Sequence, residues 1–227
     1  MKKVFWDYCI GDDPEAKLPI DFVGTPKKFR ANYNTEYDHA KCPAWKKWTN
    51  NCWVVKQPFD IGLKCDTKEE RINTDLDQKS YDQYFHVGPR WLEGEYPEIQ
   101  LKLNYMFWTK DRDVWIEQIP HPLLSRHGFE LIPGTFPISD WHRPLVVGLK
   151  IIDTDVNLQL KRGTPLYYFK LYSIKSDTDF MLEQKEAPKQ WHKLHKQTNL
   201  LRQFAPFKSW DIMKSRVQEG KCPVKWN

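Results

Sequence analysis

The stretch that most limits what this chain can become is IQLKLNYMFW, residues 99–108. Ile99, Leu101, Leu103, Tyr105 and Phe107 fall at every second position, with Gln100, Lys102 and Asn104 between them. Side chains alternate across a strand, so this spacing predicts a strand with one buried and one wet face. FDIGLKC repeats the pattern with Phe59, Ile61, Leu63 and Cys65, and VNLQLK with Val156, Leu158 and Leu160. VWIEQI and LVVGLKII are more evenly apolar and predict strands buried on both sides. PLYYFKLYS is rich in β-favouring aromatics and predicts one more strand. Proline and glycine punctuate the runs, as in LIPGTFP and KRGTP. Residues 145–173 read as three successive strands in a meander. The expected fold is all-β, a sandwich or β-clip of roughly eight to ten strands. With aromatics at 15% and eleven tryptophans, its interior should be aromatic.

The texture changes near residue 174. Trp191, Leu194, Thr198 and Leu201 stand at helical spacing after Pro188. Ser209, Asp211 and Gly220 read as cap, first turn and stop of a second helix carrying Ile212, Met213 and Val217. The expected organisation is a β domain over 1–174, with an N-terminal loop wrap holding one short helix, and a helical appendage over 175–227. Trp191, Leu194 and Leu201 should dock on the β body or on a second subunit. The net charge of +5 belongs to this appendage, where 11 Lys/Arg face 6 Asp/Glu; residues 1–174 balance at 24 against 24. Its charges are scattered among acids, so a solvated helix face is the first reading; the alternative is an acidic partner, nucleic acid included, with a second copy or a host or phage protein ahead of nucleic acid.

Several function classes drop out. No apolar run reaches the roughly 20 residues that cross a bilayer, and the N-terminus has no apolar signal region. Five cysteines, Cys9, Cys42, Cys52, Cys65 and Cys222, form no CxxC pair and read as reduced thiols in a cytoplasm. There is no phosphate-binding glycine loop and no G-x-S-x-G. Asp153 and Asp155 flank Thr154 in a turn. Base stacking is set aside as well: Trp108, Tyr167 and Phe169 sit in strands where core packing is the default. The interleaved cations number only Lys102, Lys110, Lys161 and Arg162.

Three histidines crowd HPLLSRHGFELIPGTFPISDWH, residues 121–142. His121, His127, Asp140 and His142 are the candidate ligands of a divalent metal such as iron, with Glu117 nearby. No His-x-Asp/Glu tripeptide accompanies them, so loop and strand-edge histidines are the expectation. His192 and His195 in WHKLH share one side of a helix without an acidic partner and read as a solvated face.

CPAWKKWTNNCWVVKQPFDIGL and PGTFPISDWHRPLVVGLKIIDTDVNLQLKRGTPLYYFKLYS together resemble an uncharacterised family of bacterial and phage proteins. The shared marks are a Cys-Pro-Ala segment before a Pro-Phe-Asp strand, the turn of Asp140, Trp141, Pro144 and Leu145, and the turn of Gly163, Pro165 and Leu166. The resemblance covers roughly residues 40–173. It implies a viral origin and brings no activity and no catalytic residues. GTFPISDWHRP and RGTPLYYFKL are also similar in rhythm to dUTPase-like folds. The last strand lacks the Ala-Gln of that family and its glycine-rich lid, so the rhythm implies a β-clip layout and not dUTP hydrolysis. The resulting expectation is a non-enzymatic phage accessory protein that binds a ligand in the host cytoplasm, without cofactor. A cupin- or oxygenase-like metal enzyme and a virion component are the alternatives.

Overall fold

The structure, a computed structural model, describes residues 1–8, 26–29, 41–66, 69, 71–87, 96–155, 157–189, 191, 192 and 195. In chain order the elements begin with β1 (Lys2–Tyr8), β2 (Lys27–Lys28), α1 (Pro43–Trp48), β3 (Cys52–Lys56), β4 (Ile61–Asp66), β5 (Arg71–Thr74), α2 (Gln78–Tyr84) and β6 (Phe85–Val87). They continue with β7 (Glu98–Trp108), β8 (Val114–Pro120), β9 (Phe129–Ile132), β10 (Gly134–Pro137), β11 (Leu145–Ile151), β12 (Asn157–Leu160), β13 (Pro165–Ser173) and β14 (Phe180–Gln184).

The strands form three sheets, in the orders β14-β1-β7-β11-β9, with β6 also paired to β7, β10-β8-β13-β3-β2, and β12-β4-β5. They are called sheets 1, 2 and 3 below. Pairing is antiparallel except where β14 runs parallel to β1. The all-β sandwich class is therefore what the chain adopts. The described residues hold fourteen strands rather than eight to ten. Short edge strands such as β2 and β6 are too brief to carry a pattern.

Strand β7 shows the two-residue repeat at work. Ile99, Leu101, Leu103, Tyr105 and Phe107 all enter the main core. Its pairing with β11 moves from Leu145↔Tyr105 to Val147↔Leu101, so two extra residues bulge out on β7. Asn104 takes φ 58 there, the left-handed region that Asn tolerates best after Gly. Because the bulge adds two residues, parity survives and Tyr105 and Phe107 still point inward. A one-residue bulge would have turned both to the opposite face.

All three sheets contribute to this core. Phe107 of sheet 1 meets Phe169 of sheet 2 at 5.0 Å, and Phe169 stacks on Trp53 at 5.5 Å. Each such pair adds about 0.5–1.5 kcal/mol beyond its area. Tyr8 and Tyr105 hydrogen-bond each other inside it; burial pushes the Tyr8 phenol up to about 12 and raises Tyr105 and Tyr167 too.

Four local expectations change. Strands β8 and β11 are buried on one face only: Trp115, Glu117 and Ile119, and likewise Val146, Gly148 and Lys150, lie on the more open side. Glu117 in the middle of β8 already resists two-sided burial. Strands β11, β12 and β13 are no meander, since each belongs to a different sheet. Their connections pass between layers, which periodicity along one strand cannot reveal. Strand β14 lies beyond residue 174, so the sheet takes in part of the region expected to be helical. Of the helices after it, residues 189, 191, 192 and 195 are helical; Leu194, Thr198, Leu201 and the segment 209–220 lie outside the described residues.

Candidate functional site

Parity gives each main sheet a second face, turned away from the core. On sheet 1 that face carries Phe5, Met106 and Trp108. Ala187 and the fully buried Trp191 close over it, with Trp191 at 6.4 Å from Trp108. Asp7 anchors the covering segment by accepting the Ala187 N–H at 2.7 Å. The predicted docking of Trp191 on the β body is thus observed.

On sheet 2 the second face carries Cys52, Val54 and Tyr168, packed with Phe29. Helix α1 lies across one end of it. Pro43 starts α1 where a missing N–H costs nothing, and Lys46 and Lys47 sit in its last turn against the negative helix end. Trp45 and Trp48, three residues apart, stack on each other at 5.3 Å. Beyond α1, among the described residues, Trp115, Lys170 and Tyr172 are each only half-buried.

A groove of about 880 Å³ opens between the end of α1 and the β13–β14 connection. That is within the range of small-molecule and cofactor sites. Trp48, Asn51, Lys47, Lys170, Tyr172 and Lys175 are among its lining residues. Asn51 shapes it: φ 60 turns the chain from α1 into β3. Its side chain then donates to the Thr178 carbonyl at 3.0 Å and accepts the Phe180 N–H at 2.9 Å. The Lys170 ammonium stands 5.9 Å from the Trp48 ring. Lys47 pairs with Asp177 at 3.3 Å and Asn50 donates to Asp179 at 2.5 Å, both on the exposed rim.

Ser173, at the groove's edge, invites a nucleophile reading because the Lys2 ammonium donates to its hydroxyl at 3.3 Å. Asp113 decides against it. Lys2 donates to Asp113 at 2.5 Å, and Ser173 donates to the other carboxylate oxygen. These bonds hold Asp113 down to about 2. A serine nucleophile needs a neutral base beside it, and here the lysine is committed as a cation to a carboxylate. The trio ties β1 to β13 and to the residue just before β8.

Of the four sequence-nominated metal ligands, His142 and Asp140 meet through the Asp140 backbone carbonyl and not through its carboxylate. The His142 ring is buried, hydrogen-bonds the Asp140 backbone carbonyl and packs on Trp191 at 4.4 Å, on the outer side of sheet 1. His121 packs on Tyr168 at 4.6 Å, on the outer side of sheet 2. A layered core separates them. His127 ends a short 3-10 turn, Ser125–His127, that packs near β9 and β12. Among the described residues no three His, Cys, Asp or Glu side chains gather into a possible metal site. Burial holds both His121 and His142 down to about 4, so each is neutral at pH 7. Cys52 and Cys65 are buried and Cys42 is exposed, all three as free thiols; burial pushes Cys65 up to about 11.

Trp48, Trp115, Lys170 and Tyr172 were not singled out by sequence. The signal existed in PLYYFKLYS: if Tyr167, Phe169 and Leu171 face the core, then Tyr168, Lys170 and Tyr172 face away.

No family model matches the chain, and no curated protein matches it. Among solved structures, one match is the native EIAV dUTPase, at 8% identity and a TM-score of 0.37, covering 77% of this chain and 92% of that one. Among the described residues no helix is long and apolar enough to cross a membrane.

Proposed function

We propose that this chain is an accessory protein that acts by binding, with the groove between α1 and the β13–β14 connection as its ligand site. The observation that carries this reading is the groove itself: a concavity of about 880 Å³ with an aromatic wall at Trp48 and cations at Lys47, Lys170 and Lys175. Its polar groups are arranged as holders of shape. Asn51 and Asn50 pin the β13–β14 connection, and Ser173 is tied to Asp113. Such rigid framing favours recognition, since a preformed site spends little free energy on ordering. A phage-encoded origin is favoured by the sequence resemblance alone. A basic tail that engages a second copy or a host protein fits the same role.

The test is thermal unfolding of the purified chain against ligand classes: nucleotides, oligonucleotides, oligosaccharides and acidic peptides. A ligand at a hundred times its Kd adds about 2.7 kcal/mol. For a chain of this size that raises Tm by roughly 5–10 °C. One class should do so for the wild type and not for the Trp48→Ala, Lys170→Ala double variant. A protein that ignores every class, or one that responds equally with and without the two side chains, contradicts the assignment. One equivalent of iron, manganese or zinc after metal-supplemented growth would favour the enzymatic alternative instead.

A further inference from the structure

The outer face of sheet 2 combines two features that single-stranded nucleic acid requires. The first is a set of flat rings that are only half-buried. Trp115 of β8 and Tyr172 of β13 are neighbours in register, both on the outer side and both half-buried. Trp48, over the next strand, presents a third ring, and the nearly parallel Trp45 behind it, at an interplanar angle of 19°, fixes its orientation. The second feature is cations set among those rings. Lys170 lies between Tyr172 and Trp48 in the groove wall, and Lys47 and Lys175 line the same groove. Carboxylates are present too. Glu117 stands across from Lys170, Asp177 pairs with Lys47, and Asp179 is held by Asn50.

The expectation against nucleic acid takes Trp108, Tyr167 and Phe169 as packed rings with few interleaved cations, and the structure does bury those three. The half-buried rings are different residues: Trp115 and Tyr172 take the strand parity opposite to Tyr167 and Phe169, and Trp48 comes from α1.

We infer that this face binds single-stranded nucleic acid, with bases stacking on Trp48 and Tyr172 and backbone phosphates meeting Lys47, Lys170 and Lys175. The inference rests on the binding reading above and names its ligand class. Bases of any sequence offer a π-face, so stacking holds a strand without base readout. Duplex DNA hides those faces within its own stack. An acidic peptide would use the lysines and leave the rings idle.

The experiment is fluorescence anisotropy of labelled (dT)15 with the full chain at several salt concentrations. Three phosphate contacts give a slope of log K against log salt of about −2. Trp48→Ala should weaken binding about tenfold or more, Trp48→Phe should restore much of it, and Lys170→Gln should lower the slope by about 0.7. Circular dichroism and Tm on each variant confirm that the fold is kept. Heparin and poly-glutamate, which carry charge without bases, should compete weakly. If they bind as tightly as (dT)15, or if Trp48→Ala binds like the wild type, the nucleic-acid assignment is overturned. If (dT)15 fails while another class stabilises the wild type through Trp48 and Lys170, this inference falls and the binding reading stands. If every class fails, both fall.

Discussion

The two outer faces of this sandwich start from the same kind of strand and finish differently. On sheet 1, Trp108 and Phe5 would face water, but Ala187 and Trp191 from the following segment cover them. On sheet 2, Tyr168 and Val54 are covered near Phe29 and α1, while Trp115, Lys170 and Tyr172 stay half-buried among the described residues. The first face is sealed by apolar side chains with His142 kept neutral against them. A lysine stands beside rings on both, Lys185 at 5.1 Å from Phe5 on the first and Lys170 at 5.9 Å from Trp48 on the second. A strand's parity decides which residues leave the core. A segment from elsewhere in the chain decides whether they become a second core or a surface.

The largest expected difference is in truncation. Trp191→Ala removes a fully buried side chain and should cost about 3–5 kcal/mol in urea unfolding. Trp48→Ala, half-buried, should cost less than about 1.5 kcal/mol. Equal losses would mean that the two faces are closed alike.

Acid comes next. His142 has a folded pKa of about 4 against an ordinary 6.5, so the fold favours its neutral form. Its contribution is complete above pH 6.5 and is lost as pH falls from 6.5 through 4. At 1.36 kcal/mol per unit the loss approaches about 3 kcal/mol. His142→Phe should flatten much of the decline in the urea midpoint between pH 7 and 4.5. His121 and His195, whose pKa values burial also lowers, keep a residual slope. An unchanged slope in the variant would break the link between His142 and the sealed face.

Asp113 gives a smaller effect of the same sign, in a more acidic window. Its folded pKa of about 2 lies below the ordinary value, so its stabilisation is present above about pH 4 and disappears as pH falls through 2. The pair with Lys2 is partly solvated, at 21% and 14% side-chain exposure, so Asp113→Asn should cost about 1 kcal/mol or less at pH 7. The smallest change belongs to Lys170→Gln, within about 0.5 kcal/mol of wild type while its binding falls.

Sequence carried the inward face of β7, β4 and β12 because alternation there is uninterrupted. It carried Trp191 because helical spacing and an aromatic residue both mark an apolar contact. It missed the separation of β11, β12 and β13 into three sheets, since pairing depends on partners distant in sequence. It missed β14, whose FMLEQ has no clean alternation and which pairs in parallel with the first strand. The groove escaped for the same reason: Trp48 and Lys170 approach only when α1 crosses β13. The histidine cluster drew notice because close spacing along the chain stood in for closeness in space, and a core lies between His121 and His142.

The central claim, one sealed and one open aromatic face, is tested most directly by hydroxyl-radical footprinting of the intact chain, read by mass spectrometry at each tryptophan and tyrosine. The account predicts fast oxidation at Trp48, Trp115 and Tyr172 and strong protection at Trp108 and Trp191. Protection of the first group to the level of the second, or rapid oxidation of Trp191, would contradict it.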